Sequence, residues 1–216
     1  MKTRDKILAC ALELFNKQGI ATVSSRNISD QLGISYGNLC YHFPKKDDII
    51  LALFQQMQEE LNREVSNLQA EIFRFDFMVR SLRRMMVVVY QYKFIYLDLT
   101  NICRKFPDIA KSARAQNKNR MMICRGIYAF LSKEGYLKAE RAENHYDRLV
   151  ESVLLMLNFW LMDAEIYYEG KEEDKIDHYL ELIYRQISAS MTIQGSEAFM
   201  EVYNNPEWLR APNPNP

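Results

Sequence analysis

Ser35, Tyr36, Gly37 and Asn38 form the run of residues in this chain best suited to reading another molecule. An asparagine amide offers a donor and an acceptor side by side and matches the N6 and N7 edge of adenine. A tyrosine donates to a base or a phosphate and lays its ring on a thymine methyl, and a glycine lets a helix approach the base edges closely. Groups suited to phosphate oxygens stand on both sides: Ser24, Ser25 and Arg26 upstream, and Tyr41, His42, Lys45 and Lys46 downstream. The pattern assigns base reading to Tyr36, Gly37 and Asn38, with double-stranded DNA as the partner. It assigns phosphate clamping to Ser24, Ser25, Arg26, Ser35, Tyr41, His42, Lys45 and Lys46. For Tyr41 and His42 the competing assignment is packing, the phenol ring buried with only its hydroxyl outward and the imidazole beside Phe43.

The flanking sequence supplies the elements that would hold this run. Ile7, Leu8, Ala11, Leu12 and Phe15 recur at the spacing of one helix face, and Gly19 offers a stop. Ser24 can cap a second helix with Ile28 and Leu32 inward, and Gly33 can take the positive φ that a tight turn needs. Ser35 then caps a third helix over residues 36–42, with Leu39 and Phe43 inward and Pro44 preventing simple continuation. Two short helices about a glycine turn are the arrangement that lays the second helix in the major groove. Packing as a plain three-helix cap is the alternative.

Residues 3–53 resemble the DNA-binding domain of the TetR family of bacterial repressors. The resemblance rests on the amphipathic first helix ending in FNKQG, on SSRNISDQLGIS, and on YGNLCYHFPKKDDIILAL. The chain departs from the family at Cys40, where an aromatic is common, and at Ser25 and Asn27, where an apolar and an acidic residue are frequent. The resemblance implies three N-terminal helices, a fourth linking them to a helical ligand-binding domain, and a homodimer on a pseudo-palindromic operator. It divides the chain into a helix-turn-helix domain (1–47), a ligand-binding and dimerisation domain (48–203) and a tail (204–216) rich in Pro and Asn.

Beyond the first domain the pattern is long helices over about 46–72, 75–93, 95–104, 108–134, 141–168 and 174–193, an all-α chain with no competing strand pattern. Val150, Val153, Leu154, Leu157, Trp160 and Leu161 line a broad face of one late helix, and Tyr179, Leu180, Ile183 and Ile187 repeat the pattern on the next. With the resemblance these faces make a four-helix dimer interface; periodicity alone allows internal core equally. Met and aromatic side chains crowd the middle helices. Among them Met85, Met86, Tyr90, Phe94, Met122, Phe130, Met156 and Phe159 are candidates to line a pocket for a hydrophobic or aromatic effector.

Net charge is zero and the first fifty residues hold seven basic against five acidic side chains, so the motif and not the charge argues for nucleic acid. The four cysteines have neither pairing nor zinc spacing, which fits free thiols in a reducing cytosol. The longest apolar stretch, Val153 to Met162, is too short to span a bilayer, and a cytoplasmic location is expected. Asp174 and His178 share a helix face but lack a third ligand, so no metal is expected. No phosphate-cradling loop or nucleophile–base arrangement implies catalysis or a cofactor. A transcription regulator, ligand-responsive and repressing, is the leading reading. The alternative is a DNA-bound module whose helical body recruits a protein partner.

Overall fold

Apolar spacing and capping chemistry together account for the N-terminal elements of the computed structural model, which describes residues 2–70, 75–140 and 142–204. Helix α1 (Thr3–Gln18) buries Ile7, Leu8, Ala11 and Phe15 on one face. Helix α2 (Ser25–Leu32) starts at a capping box in which the Ser24 hydroxyl accepts from the Asn27 amide at 3.2 Å and Asn27 Oδ1 accepts from the Ser24 amide at 2.9 Å. Asn27 thus does the work of the acidic residue frequent at that position. Gly33 ends α2 in the left-handed region at φ +65°, and α3 (Tyr36–His42) begins where the Ser35 hydroxyl accepts from the Asn38 amide at 3.1 Å.

The body follows as α4 (Lys46–Ala70), α5 (Phe75–Gln91), α6 (Lys93–Leu97), α7 (Leu99–Lys105), α8 (Pro107–Lys133), α9 (His145–Tyr167), α10 (Lys175–Ser188) and α11 (Ile193–Tyr203), with a short 3-10 turn before α10. Among the described residues there is no strand, only an isolated bridge between Leu137 and Met191. Three boundaries differ from the periodicity. The expected helix 95–104 breaks at Asp98, and the helix expected from 141 starts at His145 after Asn144 takes a positive φ of 60°. The helix expected to reach 193 stops at Ser188, and the Thr192 hydroxyl caps a further helix by accepting from the Gly195 amide at 3.1 Å. That helix docks closely: a side chain on Gly195 would collide with the Tyr136 carbonyl. Of the expected tail, residues 205–216 lie outside the described residues.

Two apolar cores run through the chain. One joins α1–α3 to the first turns of α4 (Ile49, Ile50, Leu53, Met57) and continues into Val88, Tyr92, Phe94, Ile95, Ile102 and Ile109. The expected boundary after residue 47 is therefore a change of role along α4 within continuous packing. The second core fills the space among α5, α8, α9 and α10. Arg83, almost fully buried on α5, reaches both oxygens of Asp177 on α10 at 2.7 and 3.1 Å and ties those helices across it.

Candidate DNA-reading surface and effector cavity

Leu39 is completely buried, and that single anchor fixes which side of α3 faces out. Tyr36, Gly37 and Asn38 are all exposed on the outward side of its first turn. A Cβ built on Gly37 meets nothing within 4 Å, so the fold itself does not require glycine there. Arg26 on α2 sits 5.4 Å from the Tyr36 ring centroid, which presents a cation and a phenol to the same space. Tyr41 is 85% exposed, against the packing alternative for its ring, and His42 is half-buried with its imidazole edge-on to Tyr41.

The phosphate candidates divide by what their polar atoms already do. Arg26 and Lys45 are exposed, and no hydrogen bond or ion pair involves the Lys45 ammonium among the described residues. The Ser24 and Ser35 hydroxyls serve as helix caps, and Ser25 is half-buried at the start of α2. Lys46 requires a correction. Its ammonium donates to the carbonyls of Ile20 and Val23 at 2.8 and 2.9 Å, clasping the loop between α1 and α2 instead of standing free for a phosphate.

Behind the reading head, one cavity of about 160 Å³ lies within the second core. Its wall includes Val65 of α4, Met78, Val79, Leu82 and Met85 of α5, Arg120, Cys124 and Tyr128 of α8, Val153, Leu154 and Leu157 of α9, Tyr184 and Ile187 of α10, and Phe199 of α11. Of the expected pocket residues only Met85 lines it. Met86 is buried in the surrounding core, Phe94 packs on Phe15 at 5.3 Å between centroids, and Tyr90 stacks on Trp160 at 6.2 Å. Met122 faces outward, Phe130 and Met156 are half-buried away from the wall, and Phe159 borders a separate hollow beside Phe54 and Tyr96.

The expected dimer faces are corrected in the same way. Val150, Val153, Leu154, Trp160, Leu161, Tyr179, Leu180 and Ile183 are each at most 7% exposed within the single chain, so its own core already covers them. Leu157 and Ile187 border the cavity. What α9 leaves uncovered is a second stripe: Leu155, Phe159, Met162 and Ile166, exposed by 61, 50, 37 and 69%. Their 4-3-4 spacing is that of a coiled-coil seam, and Leu182 of α10 is exposed as well.

The reading head and the cavity are physically joined. Asn16 on α1 donates to the Gln91 carbonyl at 2.8 Å, where α5 ends, and accepts from the Phe94 amide of α6 at 3.1 Å. Burial raises the Tyr92 phenol far above its usual range, so it stays protonated and donates to Glu60 on α4 at 2.7 Å. Among the described residues no cluster of three metal-ligating side chains occurs, and no helix is long and apolar enough to cross a membrane.

An outward-facing second helix of a helix-turn-helix, seated on a core that runs into a helical body, defines a DNA-binding transcription regulator of the all-α class. Comparison with known families makes the assignment specific. Residues 7–53 match the model of the bacterial regulatory proteins of the tetR family, and residues 56–199 match that of the TetR bacterial transcriptional repressor. The chain belongs to the TetR family of bacterial transcriptional regulators. It is 24% identical over 160 residues to the regulator UidR of Escherichia coli K12, covering 74% of this chain and 80% of that protein. It is 31% identical over 98 residues to the repressor KstR2 of Mycolicibacterium smegmatis, covering 41% and 48%. In fold it is similar to a TetR-family regulator from Marinobacter aquaeolei, with a TM-score of 0.83 over 94% of this chain and 98% of that one at 23% identity.

Proposed function

We propose that the chain is a ligand-responsive repressor that binds a palindromic operator as a homodimer and releases it when a small hydrophobic or aromatic effector fills the cavity. One observation carries this reading. Helix α5 walls the cavity with Met78, Val79, Leu82 and Met85 and ends at Gln91, hydrogen-bonded to Asn16 of α1. A ligand that displaces α5 therefore pulls on the first helix of the reading head through a direct bond and a shared core. Base reading falls to Tyr36, Gly37 and Asn38, and phosphate clamping to Arg26, Tyr41 and Lys45.

The dimer is assigned to the exposed stripe of α9 with Leu182, because a helix that is apolar on two faces needs a partner for each. The chain's own core covers one face and a second copy covers the other. Operator binding places the protein with the DNA in the cytoplasm. Sedimentation of the parent and of Phe159→Glu tests the assembly: the parent sediments as a dimer and the variant as a monomer with lost operator affinity. A protein partner that co-purifies with the helical body, with DNA affinity indifferent to small molecules, would favour the scaffold alternative.

A further inference from the structure

Among the described lining residues, polar side-chain atoms come from one ridge of α8 and from Tyr184 of α10, whose hydroxyl already donates to the Val79 carbonyl at 2.9 Å. Arg120, Cys124 and Tyr128 follow each other at intervals of four residues, so their side chains line up over about 12 Å of helix axis. Two atoms on this ridge are buried without a hydrogen-bond partner, Arg120 Nε and the Tyr128 hydroxyl. Tyr128 is 94% buried, as its 6% exposure gives, and burial raises its phenol so that it remains a neutral donor. Burial also raises the Cys124 thiol to about 11 and keeps it uncharged. Among the described residues no carboxylate pairs with Arg120 and none lines the cavity. The guanidinium lies against the Tyr96 phenol, on the wall between this cavity and the neighbouring hollow. Arg120 as a whole is half-buried, with its Nε closed off from solvent; a buried donor left unpaired is costly, and a guanidinium at an apolar wall without an anion adds to that cost, so native chains rarely keep such groups without a use.

Resting on the reading of the cavity as the effector site, we propose that the effector is a small apolar monocarboxylate with its carboxylate at Arg120, its hydrocarbon body along Cys124, and a neutral acceptor oxygen at the Tyr128 hydroxyl. The carboxylate supplies the missing countercharge and accepts from Nε. The apolar walls hold a body of about one-ring size, since cavities of roughly 150 Å³ take up benzene. A cationic or polyhydroxylated molecule finds no matching acceptor set there.

The test measures calorimetric binding of 4-methoxycinnamate, cinnamate, octanoate, and the alcohols 4-methoxycinnamyl alcohol and 1-octanol to the full chain. The acids are expected to bind about ten-fold tighter or more than the matched alcohols. Arg120→Met is expected to remove that preference, and Arg120→Lys to keep part of it should the neutral variant fold poorly. Tyr128→Phe is expected to weaken 4-methoxycinnamate and spare cinnamate. Equal affinity for acids and alcohols in the parent overturns the carboxylate while leaving the cavity as the effector site. Binding of the acids unchanged by Arg120→Met and by a cavity-filling Leu157→Phe overturns both readings, as does failure of all five probes to bind.

Discussion

Lys45 and Lys46 are adjacent and identical in chemistry but differ in what their ammonium groups engage, and replacing each in turn tests the separate roles proposed for them. In Lys46→Met the apolar stem is retained but two charge-assisted hydrogen bonds, to Ile20 and Val23 at 2.8 and 2.9 Å, are lost. Such bonds are worth about 1.5–3 kcal/mol each when fully shielded. Lys46 is half-buried, so water can replace part of what is lost, and the pair is expected to contribute about 2–4 kcal/mol. With a urea dependence of roughly 2 kcal/mol per molar, the unfolding midpoint falls by about 1–2 M at fixed protein concentration. Lys45→Ala leaves that midpoint unchanged, because its ammonium makes no hydrogen bond or ion pair among the described residues. Its effect falls on DNA: the log–log salt slope of operator binding shallows by about one for each reading head, hence about two for a dimer. Stability unchanged in Lys46→Met, or lost in Lys45→Ala, would refute the division of labour.

Other substitutions probe the remaining parts. Tyr128→Phe removes an unpaired buried hydroxyl and is expected to stabilise the ligand-free chain by about 1–3 kcal/mol, seen as a higher urea midpoint. Gly33→Ala meets no steric obstacle but forces alanine to φ +65°, and a loss of about 1–2 kcal/mol with weakened DNA binding is expected. Asn16→Ala removes both hydrogen bonds between α1 and the α5–α6 junction. DNA affinity without effector is expected to hold, while more 4-methoxycinnamate is needed to release the operator in a fluorescence anisotropy titration.

The reading head was legible because its steps leave local chemical marks: a serine before α2 and before α3, a glycine at the turn, an apolar anchor at Leu39. Lys46 was misassigned because its partners, the carbonyls of Ile20 and Val23, are brought to it only by folding. Helix α9 shows a deeper limit. Its residues are apolar on two sides, and a period of 3.6 marks both stripes without saying which meets the chain's own core. The broader stripe with Val150 and Trp160 turned inward, and the narrower 4-3-4 stripe through Phe159 was left outside. The Thr192 cap was masked because Met191 continues the apolar rhythm of the preceding helix past its real end at Ser188. The cavity ridge at Arg120, Cys124 and Tyr128 carries a four-residue spacing that can be read in sequence, but only burial distinguishes it from an ordinary helix face.

Sequence-specific operator recognition by α3 is tested most directly by selecting, with the purified chain, bound fragments from the genome that encodes it, and measuring affinities for the recovered site and a scrambled duplex. The expected result is one palindromic motif with half-sites separated by a whole number of helical turns, bound by two chains. Asn38→Ala and Tyr36→Ala should each narrow the gap between the site and the scrambled duplex. Equal weak affinity for every duplex, unaltered by either substitution, would contradict it.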